Sequence, residues 1–136
     1  MKLVIDRGMN FSLSHQAVMK YAKLSGIDLW HEVLEIPDPL VIYWRVPPSE
    51  RTPFNDGACE EWMADHLKER FLVHHIARDD AALVSVVEEM GEEANGPHAR
   101  LHVVEIPNGI KWYIDQDNDL GGEIVVEKHR TWGHDL

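Results

Sequence analysis

The apolar residues of this 136-residue chain are gathered in short runs that proline, glycine and acidic residues separate. Residues 3–5, 40–46, 101–106 and 124–126 have the length of strands, and no run is long enough to cross a bilayer as a helix. Segments with helical spacing alternate with them. The pattern predicts an α+β fold: a single globular domain over residues 1–136, with a mixed or mainly antiparallel sheet and about three helices packed on it.

The three predicted helices are recognised by apolar residues on one face and by residues that begin or end a helix. The first follows Ser12 or Ser14 as its N-cap and ends at Gly26. The second covers residues 56–67, and the third lies between residues 80 and 91. A strand is predicted over residues 71–77, before the third helix, and it would place His74 and His75 on opposite faces. Residues 112–115 and 124–128 are predicted to pair as a hairpin.

The charge of the chain restricts its partners. It carries 24 acidic and 13 basic residues, which gives a formal net charge of -11. Such a surface repels duplex DNA, so no nucleic-acid polymer is expected as a partner, whereas a small anionic ligand in a local basic pocket stays compatible with it. The single cysteine, Cys59, cannot form an intrachain disulfide, which favours a reducing, cytoplasmic location. No membrane association and no cofactor are predicted.

The strongest candidate site is the segment after the last apolar run, which we call the C-terminal hexapeptide. Alternation along a strand would place Lys128, Arg130 and Trp132 on one face, and Glu127 with His129 on the other. Two cations beside an indole suit a ligand that carries both an anionic group and an aromatic ring. The alternative is a charged strand end in water, with Trp132 closing the core. The hexapeptide consists of Glu127, Lys128, His129, Arg130, Thr131 and Trp132.

A second candidate surface lies where the first strand leads into the first helix. Phe11, Ser12 and Ser14 would lie near the end of that strand, where free helix amides can hold an anion. Simple N-capping by the serines is the alternative interpretation. Arg78 is added to the predicted ligand-binding set as a further cation.

No metal site and no catalytic residue are assigned. Residues 115–123 contain four carboxylates around two glycines, but their register departs from that of a calcium-binding loop, and a hairpin turn explains them better. The acidic residues within 88–93 are interpreted as a solvated helix face.

Six segments of the chain carry a resemblance to known proteins: 2–6, 11–14, 78–91, 103–107, 112–114 and the C-terminal hexapeptide with its EKHRTW sequence. They are similar to a widespread family of small, mostly uncharacterised bacteriophage proteins. The chain departs from the family at Met9 and Asn10, where glycines are usual, and in the length of the 115–122 hairpin. Residues 47–70 have no counterpart.

The resemblance implies a phage accessory protein that acts on host defences in the host cytoplasm. One route is to sequester a small nucleotide-type signalling molecule without turnover, and a homo-oligomer would enclose such a ligand more fully. Two alternatives stay open. One is a nucleotide phosphodiesterase or related hydrolase in which His129 works with Glu127. The other is an inhibitor that presents its acidic 88–93 face to a host protein in imitation of nucleic acid.

Overall fold

The computed structural model describes residues 1–35, 40–51 and 68–128, and these form strands and helices in the alternation that the sequence predicts. The α+β class is therefore confirmed. The described residues contain two α-helices and not about three, since the predicted helix over 56–67 lies outside them. In chain order the elements are β1 (Lys2–Asp6), α1 (His15–Ser25), β2 (Trp30–Leu34), β3 (Leu40–Trp44), β4 (Arg70–Phe71), α2 (Ala81–Met90), β5 (Leu101–Glu105), β6 (Trp112–Gln116) and β7 (Glu123–Glu127).

The strands form three small sheets, and every strand pair in the described ranges is antiparallel. β1 pairs with β5, β3 lies between β2 and β4, and β6 pairs with β7. No further strand pairs with β1 on the edge away from β5, because N–H groups on that edge already donate to other acceptors. Val4 N–H donates to the carbonyl of Arg78 at 2.9 Å, and Asp6 N–H donates to the carboxylate of Glu123 at 2.7 Å.

The strand predicted over residues 71–77 is wrong beyond its first residue. β4 ends at Phe71, and Val73–His75 form a 3-10 turn. His74 and His75 consequently do not point to opposite faces of a strand, and their rings lie 4.6 Å apart with their planes nearly perpendicular.

α2 packs on α1 and on one face of β1 and β5, which we call the inner face. The caps of the two helices are those that the sequence offers: Ser14 accepts from Ala17 N–H, and Asp80 accepts from the N–H groups of Ala82 and Leu83. α1 ends at Gly26 in the left-handed conformation, with a φ of 70°. The fully buried side chains at the centre of the molecule are Leu3, Val4, Val18, Leu83 and Val86.

The β6–β7 hairpin packs on the outer face of the β1–β5 sheet, opposite the helices. Strand alternation places Val4 on the inner face and Leu3 and Ile5 on the outer face, yet all three are buried. An antiparallel pair exposed to water on one side would leave Leu3 and Ile5 wet, so the outer face of this pair is covered at these positions. The hairpin contacts the end of β1, where Asp6 N–H donates to Glu123 at 2.7 Å.

Candidate functional site

Only the first two residues of the C-terminal hexapeptide belong to the described part of the chain. Glu127 and Lys128 are exposed at the end of β7, and the N–H of Lys128 donates to the carbonyl of Lys111 at 2.8 Å. His129, Arg130 and Trp132 lie outside the described residues. The site predicted at the C-terminal hexapeptide therefore stays a prediction, and Lys128 is the exposed cation of this site that the structure describes.

Arg78 has a structural task. Its guanidinium binds both carboxylate oxygens of Glu123, at 2.6 and 2.9 Å, and donates to the carbonyl of Val4 at 3.2 Å. It also lies over the ring of Phe11, 3.7 Å from the centroid. These contacts join the start of β7 to β1 and use the donors that a ligand would need.

Arg78 and Lys128 are also far apart. Arg78 contacts Glu123 at the start of β7, whereas Lys128 follows the end of that strand. Five steps along a strand correspond to about 17 Å. Arg78 and Lys128 therefore do not lie in one compact anion site, although both are in the predicted ligand-binding set.

The two predicted serines make hydrogen bonds within the protein. Ser14 Oγ accepts from Ala17 N–H at 3.2 Å as the N-cap of α1, and donates to the carbonyl of Glu93 at 2.7 Å. Ser12 Oγ donates to the carbonyl of Pro97 at 3.0 Å. The capping interpretation describes Ser14 well.

Replacing Ser14 with Ala is expected to lower the free energy of unfolding by about 1 kcal/mol, because α1 loses its cap. Urea unfolding followed by circular dichroism measures this. Ser12→Ala is the matched control, since its hydroxyl lies outside the helix; a loss as large as that of Ser14→Ala would contradict the capping role.

Phe11, Ser12 and Ser14 nevertheless share a concavity, which we call the Phe11 groove. It has a volume of about 530 Å³ and runs between the N-terminus of α1 and the sheet of β3 and β4. That volume lies within the range of small-molecule sites. Its wall is largely apolar and aromatic. Its lining includes Phe11, His15, Tyr43, Phe71, Val73 and His74.

His15 and Tyr43 form the polar centre of the Phe11 groove. His15 Nδ1 and the Tyr43 hydroxyl share a hydrogen bond of 2.9 Å, and the two rings are stacked with centroids 5.7 Å apart. The His31 ring lies 4.7 Å from that of His15. Burial raises the pKa of Tyr43 to about 12, so this phenol is neutral at physiological pH and acts as a hydrogen-bonding group, not as a base.

The N-terminus of α1 gives the Phe11 groove a partial positive charge that does not depend on a charged side chain. The first turn of α1 contains no acidic side chain, and its first N–H groups have no partner within the helix. Arg70 lines the groove, but it lies opposite Trp44 in the β3–β4 pair, and its guanidinium is 5.9 Å from the centroid of the Trp44 ring. Strand alternation places Arg70 and Trp44 on one face of this sheet and Tyr43 and Phe71 on the other.

Among the described residues of the groove, the hydroxyl groups of Ser12, Ser14 and Tyr43 serve as hydrogen-bonding groups. Both serine hydroxyls have hydrogen-bond partners, and Tyr43 stays protonated. Across residues 1–35, 40–51 and 68–128, no group of three or more His, Cys, Asp or Glu side chains is placed to hold a metal ion.

Sequence reasoning missed His15, Tyr43 and His74 as groove residues. His15 is separated from Tyr43 by a helix and a strand, and no local pattern links them. The one available signal was the position of His15 directly after a capping serine, at the helix end where anions bind.

Comparison with protein-family models, with curated proteins and with solved structures gives no significant match. Among the helices that the structure describes, none has the length and apolar character needed to span a membrane.

Proposed function

We propose that this protein binds a small anionic ligand of the nucleotide type in the Phe11 groove and holds it without turnover. The observation that carries this proposal is the combination of an aromatic wall with a helix N-terminus at one mouth of the groove, where His15 is hydrogen-bonded to Tyr43 at 2.9 Å. The half-buried ring of Phe11 suits contact with a flat heterocycle, and the buried rings of Tyr43 and Phe71 form the floor behind it. The amides at the start of α1 suit a phosphate.

The proposal moves the ligand away from the C-terminal hexapeptide but keeps its chemical class. A sequestering role is supported by the resemblance to phage accessory proteins. Such a protein requires affinity and slow release, because each copy removes one ligand molecule from the host.

The first test is incubation of the purified protein with a panel of cyclic and linear nucleotides. The filtrate and the material released by heat denaturation are then analysed separately. We expect one nucleotide to be depleted from the filtrate and to be recovered unchanged. Conversion to a product would instead indicate the hydrolase, and passage of every nucleotide would contradict a nucleotide site.

The site itself is tested by His15→Glu, which is expected to weaken binding of the retained nucleotide at least ~10-fold through charge repulsion. The helix dipole favours a carboxylate at this end, and a glutamate is itself an acceptor for the Tyr43 hydroxyl that His15 now binds, so we expect the variant to fold; thermal unfolding checks this. Gln16→Glu is the matched control: it adds the same charge to the same turn, and Gln16 does not line the groove. Equal losses in the two variants would contradict a site in the groove.

A third variant separates the two candidate sites. Loss of binding in Arg130→Ala together with full binding in His15→Glu would place the ligand at the C-terminal hexapeptide and contradict the proposal. Retained binding in Arg130→Ala supports the groove.

A further inference from the structure

A second concavity lies on the outer face of the β1–β5 sheet, beside the turn of the β6–β7 hairpin. We call it the Arg100 depression. It has a volume of about 480 Å³ and is separate from the Phe11 groove, with which it shares no lining residue. Its lining residues are Arg7, Arg100, His102, Val103, Val104 and Leu120.

Strand register brings the basic side chains of this depression together. Arg100 and His102 are two positions apart, so alternation puts both on the outer face. Arg7 N–H donates to the carbonyl of Arg100 at 2.8 Å, which makes them direct neighbours across the two chain segments. Two guanidinium groups and an imidazole therefore meet at one end of the sheet.

The charges of this cluster are only partly balanced. Arg7 donates to the carbonyl of Glu123 at 2.8 Å and pairs with Asp117 at 3.3 Å. Arg100 and His102 are exposed, and within the part of the chain that the structure describes neither side chain has a hydrogen bond or an ion pair. Like charges on neighbouring strands repel, and a bound anion would relieve that repulsion. Two carboxylates lie close by, since Asp117 pairs with Arg7 and the buried Asp6 accepts from Arg100 N–H at 2.8 Å. The Arg100 guanidinium is left as an exposed cation without an ion pair among the described residues, on a chain of net charge -11.

The wall of the Arg100 depression is held in place. Gly122 approaches so closely that a Cβ atom at this position would lie 2.7 Å from Arg7 Cα. The hairpin turn is thereby fixed against the segment that carries Arg7. Leu120, which is 81% exposed, forms an apolar rim beside the cations. A site that is formed before the ligand arrives loses little entropy on binding.

We propose that Arg100 and His102, with Arg7 beside them, bind a phosphate group, and that Leu120 and Val104 contact an apolar group attached to it. The planar fork of Arg100 can bind two oxygens, and the imidazole can donate to a third. This site is independent of the Phe11 groove, since no residue of one lines the other.

The test is a titration of the ¹⁵N-labelled full chain with inorganic phosphate, followed by NMR and compared with sodium chloride at equal ionic strength. We expect saturable shifts of the amides of Arg7, Arg100, His102 and Leu120 with phosphate only. Arg100→Gln is expected to weaken phosphate binding ~10-fold or more, as befits the loss of a charged hydrogen-bonding group. Lys23→Gln removes the same charge from an exposed position in α1 and should change the affinity less than about twofold.

Phenyl phosphate in the same titration identifies the source of the phosphate group. Tighter binding than that of inorganic phosphate would assign the site to an organic phosphate that touches Leu120, and equal binding would assign it to free phosphate. The proposal is overturned if shifts do not saturate, if chloride produces them equally, or if Arg100→Gln binds like the parent. Shifts confined to residues 11–15 and 71–74 would also overturn it, while supporting the groove.

Discussion

Replacing Glu123 with Ala is expected to lower the free energy of unfolding by about 3 kcal/mol and the melting temperature by roughly 10 °C. Glu123 accepts two hydrogen bonds from Arg78, at 2.6 and 2.9 Å, and one from Asp6 N–H at 2.7 Å. The side chains of Arg78 and Glu123 are only 19% and 12% exposed. The variant leaves a guanidinium and an amide without their acceptor, and it releases the start of β7 from β1.

One double variant identifies the cause of this loss. The double variant Arg78→Met, Glu123→Leu should recover much of the lost stability, because no charge is then left without a partner. Thermal unfolding and urea unfolding measure both. If Glu123→Ala costs less than about 1 kcal/mol, as exposed pairs do, the Arg78–Glu123 contact does not hold the hairpin in place.

The pH dependence of stability gives an independent measurement on the same carboxylate. Burial alone would raise the pKa of Glu123, but hydrogen bonds from Arg78 and Asp6 N–H and the charge of Arg78 hold the pKa below its ordinary value. The folded state therefore binds this proton less readily than the unfolded chain does. The stability that the Glu123 carboxylate contributes is fully present above the ordinary pKa of glutamate. It is lost as the pH falls through the lower pKa of the folded state.

Glu123→Gln makes this contribution visible. The stability difference between the parent and Glu123→Gln should be largest near neutral pH and shrink below about pH 4.5, where the carboxyl of the unfolded chain becomes protonated. A difference that stays constant from neutral to acid pH would contradict the assigned role of Arg78.

Replacing Gly122 with Ala is expected to cost about 3 kcal/mol, whereas the same change at neighbouring Gly121 should cost about 1 kcal/mol. Both glycines have positive φ angles, 79° and 77°, so the conformational cost of a side chain is similar at the two positions. They differ in their surroundings. A Cβ at Gly122 would lie 2.7 Å from the backbone of Arg7, while nothing lies within 4 Å of a Cβ at Gly121.

The difference between the two variants therefore measures the close approach of the hairpin to β1. Urea unfolding gives the two free energies of unfolding, and tryptophan fluorescence or NMR shows whether the β6–β7 hairpin separates from β1. Equal costs for Gly121→Ala and Gly122→Ala would mean that the hairpin turn does not pack on Arg7 in solution.

Local signals predicted the helices well where the responsible residues lie next to one another in the chain. Ser14 and Asp80 cap their helices because a short polar side chain can reach an amide two or three residues away. Gly26 ends α1 because only a residue without a Cβ adopts a positive φ cheaply. The hairpin of β6 and β7 was likewise predicted from two apolar runs around a glycine turn.

The candidate site was predicted less well, because its parts come from distant segments. Arg78 was expected to bind a ligand, but Glu123 lies 45 positions further along the chain and takes its guanidinium. His15 and Tyr43 are separated by 28 positions, and their hydrogen bond exists only because α1 packs on the sheet of β3. Residue types alone did not show which cations remain free for a ligand.

The sequence by itself determined the α+β class, the ends of both described helices and the antiparallel hairpins, because these depend on hydrogen bonds and side-chain alternation over a few residues. Only the tertiary structure decided that the strands form three sheets, that Arg78 holds the hairpin and that Arg100 lacks a partner among the described residues. The physical reason is that an ionic or polar group is satisfied by whichever partner folding brings within about 3 Å, and neither spacing nor composition specifies that partner.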